Sequence, residues 1–360
     1  MTSKDRINGI LNRRSVDRTG FWLGNPVRET KKKYCRELSI ETEFADVPAG
    51  GQVSEYNGRT DIELALKFES DFVWFTPELD LPAAYKHPEG KPIFDVHAGK
   101  KPKSLFEADV FSECDSVSDV EKFDWPNADY LDFSNTASLI DNTLENDLAV
   151  FSGMWCPFFH VVSNFFGMEE YFVKMLTEPE IVLAVTEKVV DFYLEANKRF
   201  FDKMANKIDA AFFGNDLGSQ LDCLISPELF KRFVLPYIKK LVEQMKSYNL
   251  KVAMHSCGSI VRFIPDLIDA GIDALHPLQA KAAGMSPEYL VREYKNDLIF
   301  IGGVDTQELL PFGTPEQVRS EVLRLIDIFG DGFIVSPSHE ALLPNVCLEN
   351  AMAMKAAACL

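Results

Sequence analysis

The chain has 360 residues, 46% hydrophobic and 26% charged, the make-up of an ordinary globular protein. A net charge of −18 argues against a nucleic-acid binder, because neutralising phosphates takes clustered Lys and Arg. The one basic run, Lys31-Lys32-Lys33, is followed by acids and reads as a solvated helix face.

Seven cysteines, an odd number without framework spacing, fit reduced thiols and a cytoplasmic location. Ser3–Arg18 is polar with a few apolar residues at helical spacing, so no secretory leader is expected. Strand candidates in the first half are Phe21–Leu23, Phe72–Phe75 and Leu148–Phe151. Long excursions over Glu41–Arg59 and Ala83–Asp132 separate them, and the Pro-rich Lys86–Pro102 suits a surface insertion. Leu148–Met168 runs 21 residues without Asp, Glu, Lys or Arg, long enough to cross a bilayer. It holds Gly153, Pro157, His160 and Asn164, and its aromatics form no helical stripe. The reading is a buried strand and then an apolar loop beside a pocket, with no membrane partner.

The second half alternates strand and helix. Ala210–Phe213 is a buried strand, and Ser226-Pro227-Glu228 starts a helix with apolar residues from Leu229 to Met245 at helical spacing. Val252–Met254 is the next strand, Ser259–Ala270 a helix stopped by Gly271, and Ile272–His276 a strand. Ser286-Pro287-Glu288 opens a helix, Leu298–Ile301 is a strand ending in Gly302-Gly303, and Thr314-Pro315-Glu316-Gln317 is a capping box. Phe333–Val335 and a closing helix Leu348–Ala358 complete the chain. Eight short strands, apolar on both faces in the second half, predict an α/β fold, a single-domain TIM (β/α)8 barrel over 1–360 with extended insertions in its N-terminal half.

The chemistry-bearing residues gather at strand exits. His255-Ser256-Cys257-Gly258 places imidazole and thiol one residue apart where a strand ends, a pairing that suits zinc. A third ligand must come from elsewhere, and His339, Cys347 and Asp216 are the candidates. Further polar exits are Asn215, Asp216 and Gln220, then His276 and Gln279, then Asp305 and Gln307, then His339 and Glu340. Loops on the top face of a barrel build pockets in this way. Gly302-Gly303 is too short for a dinucleotide or phosphate loop. Trp155, Phe158 and Phe159 read as core first and as a flat-ligand surface second.

From about Phe212 onward the chain resembles the uroporphyrinogen decarboxylase superfamily of (β/α)8 barrels. The matching segments are FFGNDLGSQLDCLISPELFKRFVLPY, HSCGSI, IGGVDTQELLPFGTPEQV and SPSHEALLPNVCLENAMAM, with weaker likeness in DRTGFWLG, SDFVWF and DVEKFDWPN. True decarboxylases of that superfamily hold substrate carboxylates with an Arg-rich segment. Here the matching segment is Phe21-Trp22-Leu23-Gly24-Asn25-Pro26-Val27-Arg28, with Arg28 the only cation. Asp71 aligns with their catalytic aspartate.

The other branch, the corrinoid-linked methyltransferases, carries the His-x-Cys-Gly motif matched by His255-Ser256-Cys257-Gly258. There the His and Cys bind zinc together with a later Cys, and zinc keeps an acceptor thiol ionised as the nucleophile toward a cobalt-bound methyl. His339 stands where that later Cys would be, and Cys347 lies eight residues beyond.

The resemblance therefore implies a methyl transfer between a corrinoid protein and a small nucleophilic acceptor. His255, Cys257 and His339 or Cys347 would sit on Zn2+. Asp216 and Asp71 are the expected catalytic acids, and Asn25, Trp155, Gln220, His276, Gln279 and Asp305 the expected pocket residues. A homodimer is compatible with this reading. The rivals are a metal-free decarboxylase using Asp71 or Asp216, and a non-enzymatic corrinoid- or tetrapyrrole-binding protein using Trp155, Phe158 and Phe159.

Overall fold

Strands that are apolar on both faces need cover on both faces, and here helices and the barrel's own interior supply it. The computed structural model describes residues 1–41, 58–77, 79, 84–94 and 110–360. Its eight strands are β1 (Gly20–Phe21), β2 (Phe72–Phe75), β3 (Ala149–Ser152), β4 (Ala210–Gly214), β5 (Lys251–His255), β6 (Ala274–Leu278), β7 (Ile299–Val304) and β8 (Phe333–Pro337). They form one sheet in the order β1-β8-β7-β6-β5-β4-β3-β2. Every neighbouring pair is parallel.

The seam between β1 and β2 has no ladder, yet it is stitched at its lower end. Asp71 N–H donates to the Phe21 carbonyl at 2.8 Å. Phe21 N–H donates back to the Asp71 carboxylate at 2.8 Å, and Leu23 N–H donates to Ser70 Oγ at 3.1 Å. The result is the expected α/β barrel, closed but for that seam.

Alternate strand residues point inward. Trp22, Phe72, Phe151 and Phe212 fill the interior together with Ala149, Ala210, Ala253 and Ala274, large beside small. Ile7, Ile10 and Leu11 of the N-terminal helix Ser3–Leu11 join that cluster and plug the bottom. A second, larger apolar layer lies between strands and outer helices.

The structure revises several sequence expectations, among them the solvated basic run, since Lys31 is fully buried against Asp61. The helix after Ser226 is two, Pro227–Phe233 and Leu235–Ser247, broken at Val234. Pro236 has no N–H to continue the first helix, while the apolar residues from Phe230 to Met245 still face the core. The helix expected over Ser259–Ala270 shrinks to Ile264–Asp269. Ser259 instead ties its N–H to the Ser219 carbonyl at 2.7 Å and its hydroxyl to the Ala283 carbonyl at 2.6 Å. β6 starts two residues later than Ile272. The apolar loop expected after β3 is helix Phe158–Phe166. Six of its nine residues are buried, and they share one face opposite His160, Val161 and Asn164, so the segment does carry a helical stripe. Among the described residues no helix is long and apolar enough to cross a membrane. Of the expected excursions, 42–57, 83 and 95–109 lie outside the described residues, and the described remainder includes the short helix Val117–Glu121 and an antiparallel bridge between Tyr85 and Leu131.

Candidate metal centre

Parallel register brings the strand exits to one level. Gly214 pairs with His255, and His255 with His276. Alternation along β5 turns Ala253 and His255 inward, and the chain then leaves the strand at Cys257. Ser256 N–H still reaches the His276 carbonyl at 2.7 Å, and Asn215 N–H the His255 carbonyl at 3.0 Å. Gly258 makes the turn at φ +81°, and an added Cβ there would lie 2.5 Å from the Gly218 backbone. The exits of β4 and β5 are thus packed backbone against backbone.

His255 stands at the centre. Its Nε2 lies 3.1 Å from Asp216 Oδ1 and 3.3 Å from Cys257 Sγ. Cys257 N–H donates to the same Asp216 Oδ1 at 2.9 Å. One donor atom from each of Asp216, His255 and Cys257 falls within 4.8 Å of the others. Tetrahedral zinc with ordinary N, O and S bond lengths separates its ligand atoms by roughly 3.4–3.6 Å, so the spacing and the donor chemistry fit that ion. On the other ring edge, His255 Nδ1 lies 3.0 Å from His276 Nδ1 and 3.5 Å from Glu340 Oε2. His276 Nε2, Ser336 Oγ and Glu340 Oε2 are buried without a hydrogen-bond partner, a polar set inside an otherwise apolar barrel.

The charges interlock. Burial alone would discharge His255, but Glu340, Asp216 and Cys257 hold its pKa well above the ordinary imidazole value. Burial would likewise raise the Asp216 carboxyl, and the His255 imidazole with the Cys257 N–H keeps it below the usual carboxylate range. His339 is raised, first by its hydrogen bond with Cys257, against burial. Burial and then the neighbouring His255 push His276 well below the ordinary value.

The centre opens into a cavity of about 630 Å3 lined by Gln220, Cys257, Gln279, Asp305, Ser338 and His339, among others. Gly258 N–H donates to Gln279 Oε1 at 2.8 Å, and Gln220 Nε2 reaches the same oxygen at 3.4 Å. Asp305 accepts the N–H groups of Gln307, Glu308 and Leu309 and pairs with Lys281 at 2.9 Å, so it shapes the rim. Trp155 packs its ring 5.1 Å from that of His255. Asn25 leaves β1 with its N–H on the Glu340 carbonyl at 2.7 Å.

Other expected residues lie elsewhere. Asp71 precedes β2 at the opposite, N-terminal face, fully buried. Arg6 and Arg18 pair with it at 2.5 and 2.8 Å. A carboxylate so enclosed lies at the end of the barrel opposite the mouth. Cys347 precedes helix Leu348–Ala358 beside Tyr34 and is not among the metal-capable donors that converge on His255 among the described residues. Phe158 and Phe159 are buried and offer a ligand no surface. Asn215 is spent on Phe159 N–H and the Cys156 carbonyl. His160 went unnoticed as a site residue. Its Nε2 lies 3.9 Å from Asp216 Oδ2, and its place just after β3, another strand exit, was the available signal.

The uroporphyrinogen decarboxylase (URO-D) family pattern matches residues 94–359. The methylated-thiol–coenzyme M methyltransferase of Methanosarcina mazei is 28% identical over 187 residues, 49% of this chain and 46% of that protein. A methylcobamide:CoM methyltransferase of the same organism is 24% identical over 184 residues, half of each chain. The uroporphyrinogen decarboxylase of Chlorobium limicola is 28% identical over 131 residues, 34% of each. The chain thus spans about half the length, or less, of the curated relatives it matches. A solved methyltransferase structure from M. mazei superposes over 99% of this chain with a TM-score of 0.65 at 16% identity, a likeness of fold. With the family pattern covering most of its length and the barrel to match, the chain belongs to the uroporphyrinogen decarboxylase (URO-D) family.

Proposed function

We propose that the protein is a zinc-dependent methyltransferase that moves a methyl group between a corrinoid protein and a small nucleophilic acceptor. One observation carries this reading: metal-capable Asp216, His255 and Cys257 converge at the C-terminal mouth of the barrel, beside a 630 Å3 cavity that Gln220, Gln279 and Asp305 help to line. Relatives named as methyltransferases match half of the chain, and seven free cysteines suit a reducing, cytoplasmic setting.

A zinc ion held by His255 and Cys257 supplies one thing, an acceptor kept ionised and nucleophilic at neutral pH. The chain's own residues do the rest. His255 and Cys257 come from one strand exit, so their spacing is set by backbone. Gln220 and Gln279 orient the acceptor in the cavity, Asp305 shapes its rim, and the Trp155 ring covers one side of His255. In the transfer the carbon–cobalt bond breaks, its electron pair stays on cobalt, and the acceptor's lone pair forms the new bond to methyl.

Protein purified without chelator is expected to hold about one zinc per chain, to lose it in the H255A/C257A double variant, and to demethylate methylcobalamin when a small thiol is supplied. Wild-type zinc no higher than that of the double variant refutes the proposal.

A further inference from the structure

We propose that Asp216, and not His339, is the third protein ligand beside His255 and Cys257, and that His339 donates its Nε2–H to the Cys257 sulfur. The inference rests on the zinc reading above. It begins with the ring proton of His339, whose Nδ1 lies 3.5 Å from Glu340 Oε2 without a hydrogen bond and has a closer neighbour. Ala341 N–H points at His339 Nδ1 at 3.0 Å. A backbone N–H only donates, so Nδ1 is an acceptor and bears no hydrogen. In a neutral imidazole the proton is then on Nε2. This tautomer follows from a donor that cannot reverse its role. An Nε2–H has no lone pair for a metal, but it has a bond to give, and His339 lines the same cavity as Cys257, its ring 6.2 Å from that of His255.

Asp216 has the complementary geometry. Its Oδ1 lies 3.1 Å from His255 Nε2, close to one edge of a zinc tetrahedron, and Cys257 N–H pins that oxygen at 2.9 Å. Carboxylate and thiolate together cancel the charge of a dication, with neutral His255 as the third donor. His339 then acts on the sulfur from outside the coordination shell: an N–H···S bond draws charge off the thiolate and so adjusts its donation to the metal.

The test is zinc content and the absorption of the Co2+-substituted full-length protein, for wild type, D216A, D216N, H339A and H339Q. D216N keeps the oxygen that Cys257 N–H needs, so its fold is safeguarded. Both Asp216 variants are expected to fall from about one metal per chain to below about a tenth, while both His339 variants stay near one. The sulfur-to-cobalt charge-transfer band is expected to shift in H339A and to return toward wild type in H339Q, which restores an N–H donor. An empty H339A beside a filled D216N overturns the ligand assignment, and an unmoved band in H339A overturns the donor role. Wild type without metal fells the zinc reading and this inference together, whereas filled wild type with empty H339A fells this one alone.

Discussion

At the residue scale, two aspartates divide the labour of the barrel's two ends. Asp216 is half-buried at the mouth, where its oxygens face imidazoles. Asp71 is sealed at the base, where Arg6, Arg18 and the Phe21 N–H take up its oxygens. Removing one member of a buried ion cluster leaves the others charged and unpaired. D71A is therefore expected to lose about 3–5 kcal/mol of stability, read as a lower urea midpoint. Its folded fraction should keep wild-type metal content. A D71A protein of unchanged stability but abolished methyl transfer would return Asp71 to catalysis. The family resemblance made Asp71 a candidate, and a place after a strand made Asp216 one. What separates them is position along their strands, one before β2 and one after β4, and barrel chemistry sits at the carboxyl ends.

At the element scale, the exit of β5 is the piece on which the centre is built. Its loop is held by crossing backbones: a Cβ on Gly258 would meet Gly218 at 2.5 Å, and one on Gly218 would meet Ser259 at 2.7 Å. Gly258 also needs φ +81°, which an L side chain adopts at a cost. G258A is expected to cost more than about 1 kcal/mol and to empty the metal site, since Cys257 is its immediate neighbour. A G258A protein with full zinc occupancy would show that the loop tolerates the crossing and that the close approach has no part in positioning Cys257. Elements with strong local signals were legible in the sequence. Phe72–Phe75 and Leu348–Ala358 have the expected bounds, and Thr314 and Gln317 form the expected capping box. Elements whose limits depend on neighbours were not. Ser259–Ala270 lost its first half to hydrogen bonds with the β4 and β6 exits, and Phe158–Phe166 is a short helix whose polar face holds only His160 and Asn164.

At the scale of the whole molecule, the same dense interior that holds the barrel together withholds protons from solvent's reach. Burial pushes the Cys35 thiol up to about 11, and raises Cys156, Tyr34 and Tyr171 beyond it. An unfolded thiol gives up its proton near about 8.5 and an unfolded phenol near about 10. Above those values the folded chain binds more protons than the unfolded chain, so the slope of stability against pH is negative. The contribution is complete below about 8.5 and is lost as pH climbs toward the folded values. Urea midpoints are expected to decline steadily from pH 8.5 to 10.5; a flat or rising profile would contradict the burial of these groups.

By itself the sequence determined the class of fold, the family, and the His255–Cys257 pair. Each of these is written in local pattern: strand-length apolar runs, capping residues, two ligands one residue apart on the same strand exit. Only the tertiary structure decided which distant residues join that pair. Asp216 reaches it from β4, whereas Cys347 stays beside Tyr34 and Asp71 closes the far end. The physical reason is that strand pairing and register, which bring Gly214, His255 and His276 to one level, arise from the closing of the sheet and leave no mark on the residues they bring together.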